Sequence, residues 1–323
     1  MPLTERKLID RIRRLAHSRA NRAVVAGIGD DCAILKLSPG SHLLVTTDLC
    51  IENVHFRRDW HPAPSVGHRC LARGLSDIAA MGGEPLACFL SLGLPVTLPQ
   101  TWVDGFLHGL QRLARRSGVQ LAGGDISAAQ AITADIVVAG QVPAGKALLR
   151  SGARPGDRIY VTGKLGASAA VLQRLRTGER VRPANSSRHF YPVPRLKAGG
   201  WLRQHGLATA MIDLSDGLSV DLAHVCEESR VAAIINAGAL PIAEDADLKL
   251  AVHGGEDYEL LFTASPQTKI PGRIAGVKVT EIGRIHKRKD YRAAINILDD
   301  NGKTHALAPR GWEHFSERPR ESR

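Results

Sequence analysis

Apolar positions along the chain recur with two different periods. Leu8, Ile9, Ile12, Leu15 and Ala16 share one helical face, which predicts an amphipathic helix over 4–17 with Thr4 placed to cap it. HLLVTTD (42–48) reads as a strand ending in polar residues, 65–81 as a helix stopped by Gly82-Gly83, and 85–94 as a buried strand. A helix over 102–116, ended by Gly118, and a strand over 132–142 follow. The turn-rich stretch 151–157 marks a junction. Beyond it the pattern predicts a strand at 157–163, a helix at 167–175, a strand running into a turn at 209–217, a helix at 218–228 and a strand at 256–264. The polar run 176–189 predicts a mobile loop. Interleaved strands and helices make this an α/β chain. Its 323 residues suit two domains, 1–148 and 149–316, followed by a disordered tail at 317–323.

Composition sharpens this picture in three places. Aromatic residues are only 4%, so the core must be built from Ala, Val, Leu and Ile. The net charge of +11 raises the question of nucleic acid, yet the basic residues are spread out. The densest run, Arg11-Ile12-Arg13-Arg14, lies on the first helix with no aromatic stacking platform. A solvated arginine-rich surface that attracts small anions is the better reading, with no nucleic-acid partner. Five cysteines without a C-x-x-C pair argue against a disulfide framework or a zinc site. The most apolar segment, 86–98, is interrupted by Ser91, Gly93 and Pro95 and is too short to span a membrane. The N-terminus lacks the apolar stretch of a signal peptide, so a reduced, cytoplasmic chain is expected.

Five motifs set an aspartate beside glycine or hydroxyl residues: Gly27-Ile28-Gly29-Asp30-Asp31, Thr46-Thr47-Asp48, Ser76-Asp77, Gly123-Gly124-Asp125 and Asp213-Leu214-Ser215-Asp216-Gly217. Each alone is explained as a turn or a helix cap. Five together suggest converging carboxylates, which repel unless a hard cation such as Mg²⁺ neutralises them, next to glycines that let backbone N–H groups approach phosphate. The obvious rival is Gly140–Lys146, which has P-loop spacing. Its next residue is Ala147 rather than a magnesium-binding Ser or Thr, and Pro155 soon forbids the long helix that should follow. Two further features are ambiguous by composition. Glu256 in Gly254-Gly255-Glu256-Asp257-Tyr258 opens an apolar strand, and Gly311-Trp312-Glu313-His314-Phe315 is either a packing anchor or a stacking surface.

GIGDDCAIL, TTDLCIENVHF, LSDIAAMGG, LAGGDIS, LLRSGARPGDRIYVTG, IDLSDGLSVDL, GGEDYELLFT and GWEHF occur in this order from residue 27 to 315. Together they resemble the thiamine-monophosphate kinases of the aminoimidazole-ribonucleotide-synthetase-like superfamily. The resemblance implies ATP-dependent phosphorylation of thiamine monophosphate by direct in-line transfer. It also implies a two-domain α/β fold whose N-terminal strands form a barrel with a second subunit in a homodimer, and Mg²⁺ as cofactor. Matched motif by motif, the magnesium ligands would be Asp31, Thr46, Thr47, Asp48, Asp77, Asp125, Asp213 and Asp216, with Asp30 nearby. Gly124, Asp125, Arg150, Ser215 and His108 would face the nucleotide, and His55, Glu256 and Trp312 would hold thiamine monophosphate. Asp77, Asp125, Asp216 and Arg150 would act in catalysis. Another ATP-dependent synthetase or maturation enzyme of the same superfamily is the alternative.

Overall fold

The computed structural model describes residues 3–16, 22–290 and 293–311. The first domain opens with helix α1 (Glu5–Ala16), which buries Leu8, Ile12 and Ala16, and the short strands β1 (Val24–Ala26) and β2 (Ile34–Leu35). A four-stranded sheet then forms from β3 (Ser41–Ile51), β4 (Glu84–Leu94), β5 (Gln120–Ala128) and β6 (Thr133–Pro143), in the order β3-β6-β4-β5. Helices α2 (Ala63–Ala80) and α3 (Gln100–Ser117) cover one face of it. Leu90, Leu92, Ile136 and Val138 from the strands meet Val66, Leu71, Leu75, Phe106 and Leu110 from the helices. The two helices touch backbone to backbone. A Cβ on Gly67 would stand 1.9 Å from the Phe106 carbonyl oxygen, and one on Gly109 would stand 1.8 Å from that of Pro64. The other face of the sheet is uncovered at β3, where Leu43, Val45 and Leu49 are 50%, 61% and 50% exposed.

The second domain is a larger mixed sheet. Its strands are β7 (Arg158–Thr162), β8 (Ala210–Asp213), β9 (Val231–Asn236), β10 (Leu260–Ala264), β11 (Arg273–Ile274), β12 (Val277–Lys287), β13 (Ile295–Leu298) and β14 (Thr304–Ala306). They run in the order β14-β13-β9-β12-β7-β10-β8, with β11 beside β12. Its helices are α4 (Ala167–Arg176), α5 (Ser187–Phe190), α6 (Leu196–Gln204), α7 (Leu218–Ser229) and α8 (Leu248–His253). One face buries Ile159, Val161, Ile212, Leu222 and Ile235 with α7, while the other packs Met211, Leu260 and Phe262 against Leu202 of α6 and Ala79 and Ala80 of α2. Helix α2 therefore belongs to both cores and joins the domains.

Three expectations change. The strand at 42–48 does not end at its polar residues: β3 continues to Ile51, paired residue for residue with β6. Alternation along a strand sends Thr46 and Asp48 to one face and Thr47 to the other, so polarity there marks a site and not a strand end. The run 176–189 ends in structure: His189 and Phe190 of α5 are buried, and His189 Nε2 lies 3.0 Å from His61 Nε2 across the domain boundary. The strand at 256–264 starts only at Leu260, because Glu256 and Tyr258 take left-handed backbone conformations with φ of 64° and 50°. The false P-loop is confirmed as such. Gly140 lies inside β6, and 147–157 is irregular.

Candidate active site

The site lies where α2 meets the end of β8. Helix α2 carries Arg69, Arg73 and Asp77 four residues apart, a spacing that sets all three on one face, with Ser76 beside them. Ser76 Oγ donates to Asp213 Oδ2 at 2.6 Å, tying the first domain to the terminal residue of β8. Thr46 on β3 donates to Asp77. Beyond β8 the chain turns sharply, and Asp221 of α7 accepts from the Asp216 and Gly217 amides at 3.1 and 3.0 Å. The Glu256 amide donates to the Ser215 carbonyl at 2.7 Å, and that of Tyr258 to Leu214 at 2.9 Å, so the two predicted motifs form one folded unit.

Four carboxylates meet at this seam: Asp48 and Asp77 from the first domain, Asp213 and Asp216 from the second. Burial, then the neighbouring Asp77, raises the Asp48 carboxyl to about 6 against the charge of Arg73, with Asp216 also raising it. Burial and Asp77 push Asp213 above the usual carboxylate range. Burial raises Asp77 too, opposed by the Thr46 hydrogen bond and by Arg150 and Arg73. Asp48 Oδ2 is buried without a hydrogen-bond partner. Among the described residues no three His, Cys, Asp or Glu side chains are close enough to enclose a metal by themselves.

Other predicted residues fall elsewhere. Thr47 faces the uncovered side of the sheet, donating to Asp135 Oδ1 at 3.0 Å. Asp125 is exposed on β5, at the opposite edge of the sheet from β3. Gly124 beside it has φ 146°, and a Cβ there would stand 1.9 Å from the Leu90 carbonyl oxygen; close strand packing alone thus demands this glycine. Asp30 and Asp31 are exposed in the segment after β1. His108 is exposed on α3 and lines a groove against α1 with Arg11, Leu15 and Asp104, which none of the clustered carboxylates borders. Arg150 is exposed, and its charge lowers both Asp77 and Asp213. His55 occupies the turn after β3, where its Nδ1 accepts from the Ile51 amide at 3.0 Å. Trp312 lies outside the described residues.

Glu256 does not stand open. Arg69 Nη2 donates to its Oε2 at 2.7 Å, while Arg69 Nη1 holds the His189 carbonyl. Burial would raise the Glu256 carboxyl, but Arg69 and Arg73 overrule it and hold it at about 2. Ser76 belongs to a motif read from the sequence, whereas Arg69, Arg73 and Asp221 were given no role there. The four-residue spacing of Arg69, Arg73 and Asp77 was their available signal.

Residues 29–142 match the family model described as AIR synthase related protein, N-terminal domain, and residues 154–296 match the corresponding C-terminal domain. Thiamine-monophosphate kinase of Escherichia coli (strain K12) is 37% identical over 310 residues, covering 91% of this chain and 93% of that protein. The crystal structure of thiamine-monophosphate kinase from Stenotrophomonas maltophilia K279a superposes with a TM-score of 0.79 at 34% identity, covering 94% of this chain and 98% of that one. A structure described as AaThiL complexed with AMPPCP and TMP matches with a TM-score of 0.76 at 31% identity, covering 98% and 99%. The order of motifs read from the sequence, the two-domain fold and these likenesses agree, and the chain belongs to the thiamine-monophosphate kinase family.

Proposed function

We infer that this chain transfers the γ-phosphoryl group of ATP to thiamine monophosphate, giving ADP and thiamine diphosphate. The observation that carries this reading is the convergence of Asp48 and Asp77 with Asp213 and Asp216 at the seam of the two domains, in a member of this family. An oxygen of the acceptor phosphate attacks the γ-phosphorus, and the bond to the β–γ bridging oxygen breaks with its electrons leaving on ADP. That attacking oxygen is already ionised, so the chain need supply no general base. Its task is to hold two anions in line, which is positioning and charge neutralisation.

The carboxylates suit a divalent cation: they are hard oxygen donors, they repel one another, and Asp48 Oδ2 is buried and unpaired. Among the described residues no three of these side chains stand close enough to enclose an ion alone. We assign Thr46, Asp48, Asp77, Asp213 and Asp216 to holding Mg²⁺, and Asp31 and Asp125 to the same site on their motifs; the motif assignment of Thr47 has no support from its side chain, which faces the other side of the sheet. When bound, Mg²⁺ would supply neutralisation of the phosphate charge. Arg150 would neutralise the nucleotide phosphates, with Gly124, Asp125 and Ser215 facing it. The motif assignment of His108 to the nucleotide has no support from its groove on α1 and α3. His55, Glu256 and Trp312 are assigned to the thiamine end.

The uncovered sheet face, apolar at Leu43, Val45 and Leu49, supports a homodimer. β3 and β5 are the two edges of the four-stranded sheet. A barrel closed with β3 of one copy against β5 of the other would set Asp125 of one copy beside Asp48 of the other. The family-model boundaries fit a division of the chain at 148/149. No helix among the described residues is long and apolar enough to cross a membrane, and a cytoplasmic place follows from the ATP requirement. The test is ADP release with purified protein, Mg²⁺ and ATP. Thiamine monophosphate should drive turnover, and thiamine or an unrelated phosphate ester should not. Turnover independent of the vitamin phosphate would overturn the reading.

A further inference from the structure

One charged side chain lies between the two halves of this site and has no role so far. Arg73 stands one helical turn from Arg69 and one from Asp77, which places it roughly 6 Å along the α2 axis from each. The stripe has a direction. At one end Arg69 holds Glu256, assigned to the thiamine end; at the other Asp77 accepts from Thr46 in the carboxylate cluster. Arg73 interacts electrostatically with both ends, with Glu256 and with Asp48. On the kinase reading the acceptor phosphate lies in this middle ground, because it joins the thiamine moiety to the γ-phosphate of ATP.

The contacts of the two arginines separate their duties. Arg69 is buried, and both of its terminal nitrogens are engaged, with the His189 carbonyl and Glu256. Its work is to fix Glu256. Arg73 is anchored through Nη1 on the Leu49 carbonyl at 3.2 Å, while its Nε approaches Asp48 Oδ1 only to 3.8 Å. At that distance Arg73 and Asp48 form an ion pair without a hydrogen bond, so Asp48 does not use the Nε donor. The Arg73 side chain keeps 18% exposure, against 5% for Arg69. A guanidinium is a planar fork of donors matched to phosphate oxygens, and here it is pre-oriented by a backbone carbonyl.

We propose that Arg73 binds the phosphate of thiamine monophosphate and so makes the site select the phosphate ester over free thiamine. This rests on the kinase reading above. The test measures equilibrium binding of thiamine monophosphate and of thiamine to the full chain by calorimetry, without ATP or Mg²⁺, for the wild type, Arg73→Met and Arg73→Lys. Losing a charge-assisted phosphate contact should weaken thiamine monophosphate binding by about tenfold or more in Arg73→Met. Thiamine affinity should stay within about twofold, and Arg73→Lys should recover part of the loss, because it keeps the charge without the fork. In steady state the KM for thiamine monophosphate should rise while that for ATP does not. An unchanged preference for the ester in Arg73→Met, or an equal fall for both ligands in a variant with native circular dichroism, overturns the proposal. If Arg73→Met does not fold, Arg73→Lys decides it: an undiminished preference for the ester together with an unchanged KM overturns the proposal, and a selective loss for the ester supports it. If the wild type itself releases no ADP with thiamine monophosphate, the kinase reading fails and this assignment fails with it.

Discussion

Asp48 has one carboxylate oxygen buried without a partner and another that meets Arg73 only at 3.8 Å. A buried, unpaired carboxylate oxygen is costly, and a fold retains it where a ligand satisfies it. Asp77 and Asp213 are better supported by the protein, through Thr46 and Ser76, so their oxygens are oriented before any ligand arrives. Asp77→Asn keeps the shape and removes the charge. It should lower phosphoryl transfer by about two orders of magnitude or more while leaving the melting temperature equal to or above that of the wild type. The reason for the second outcome is that burial already disfavours the charged Asp77. Near-normal turnover at saturating Mg²⁺ would remove Asp77 from the site. At this scale the sequence was most informative about residue type. Motifs pointed to Asp77, Asp213 and Asp216, but Arg69 and Arg73 looked like two more surface arginines in a basic chain.

Helix α2 is the element on which the site depends. It packs on α3 and on the sheet, it contributes Ala79 and Ala80 to the second domain, and it carries Arg69, Arg73, Ser76 and Asp77. Its position is set by glycine. Because the Phe106 carbonyl sits where a Gly67 side chain would begin, Gly67→Val must push α3 away. We expect a loss of about 3 kcal/mol or more in unfolding free energy, read from urea denaturation. An unchanged midpoint would mean that the α2–α3 contact is looser than its geometry. The helix itself was legible from residue 65 to 81, since its apolar period is clear and Gly82 stops it. That it would serve two cores was not, because the alanines that reach the second domain look the same as those that face the first.

The whole molecule raises a question that one chain does not answer by itself. Asp48 and Asp125 lie on opposite edge strands of a four-stranded sheet, yet we assign both to one site on their motifs. Closure of two sheets into a barrel resolves this if each site takes β3 from one copy and β5 from the other. Asp48→Asn and Asp125→Asn homodimers should then each be inactive. After mixing and exchange of subunits, hybrids should recover up to about a quarter of wild-type activity, because half the dimers are hybrid and one of their two sites is intact. Recovery of no activity in verified hybrids would place both residues in one subunit's site.

The sequence by itself determined the α/β class, most element positions, the rejection of the P-loop and the aspartates that meet at the domain seam. These are properties of local period, turn chemistry and short motifs, which a linear chain displays directly. Only the tertiary structure decided that Thr46 and Asp48 face α2 while Thr47 faces away, that Glu256 is engaged by Arg69, and that Arg73 acts on both Glu256 and Asp48. It also decided that His189, at the end of a polar run, is buried against His61 of the other domain. Each of these depends on which residues far apart in the chain are brought within a few ångströms, and no local pattern encodes that.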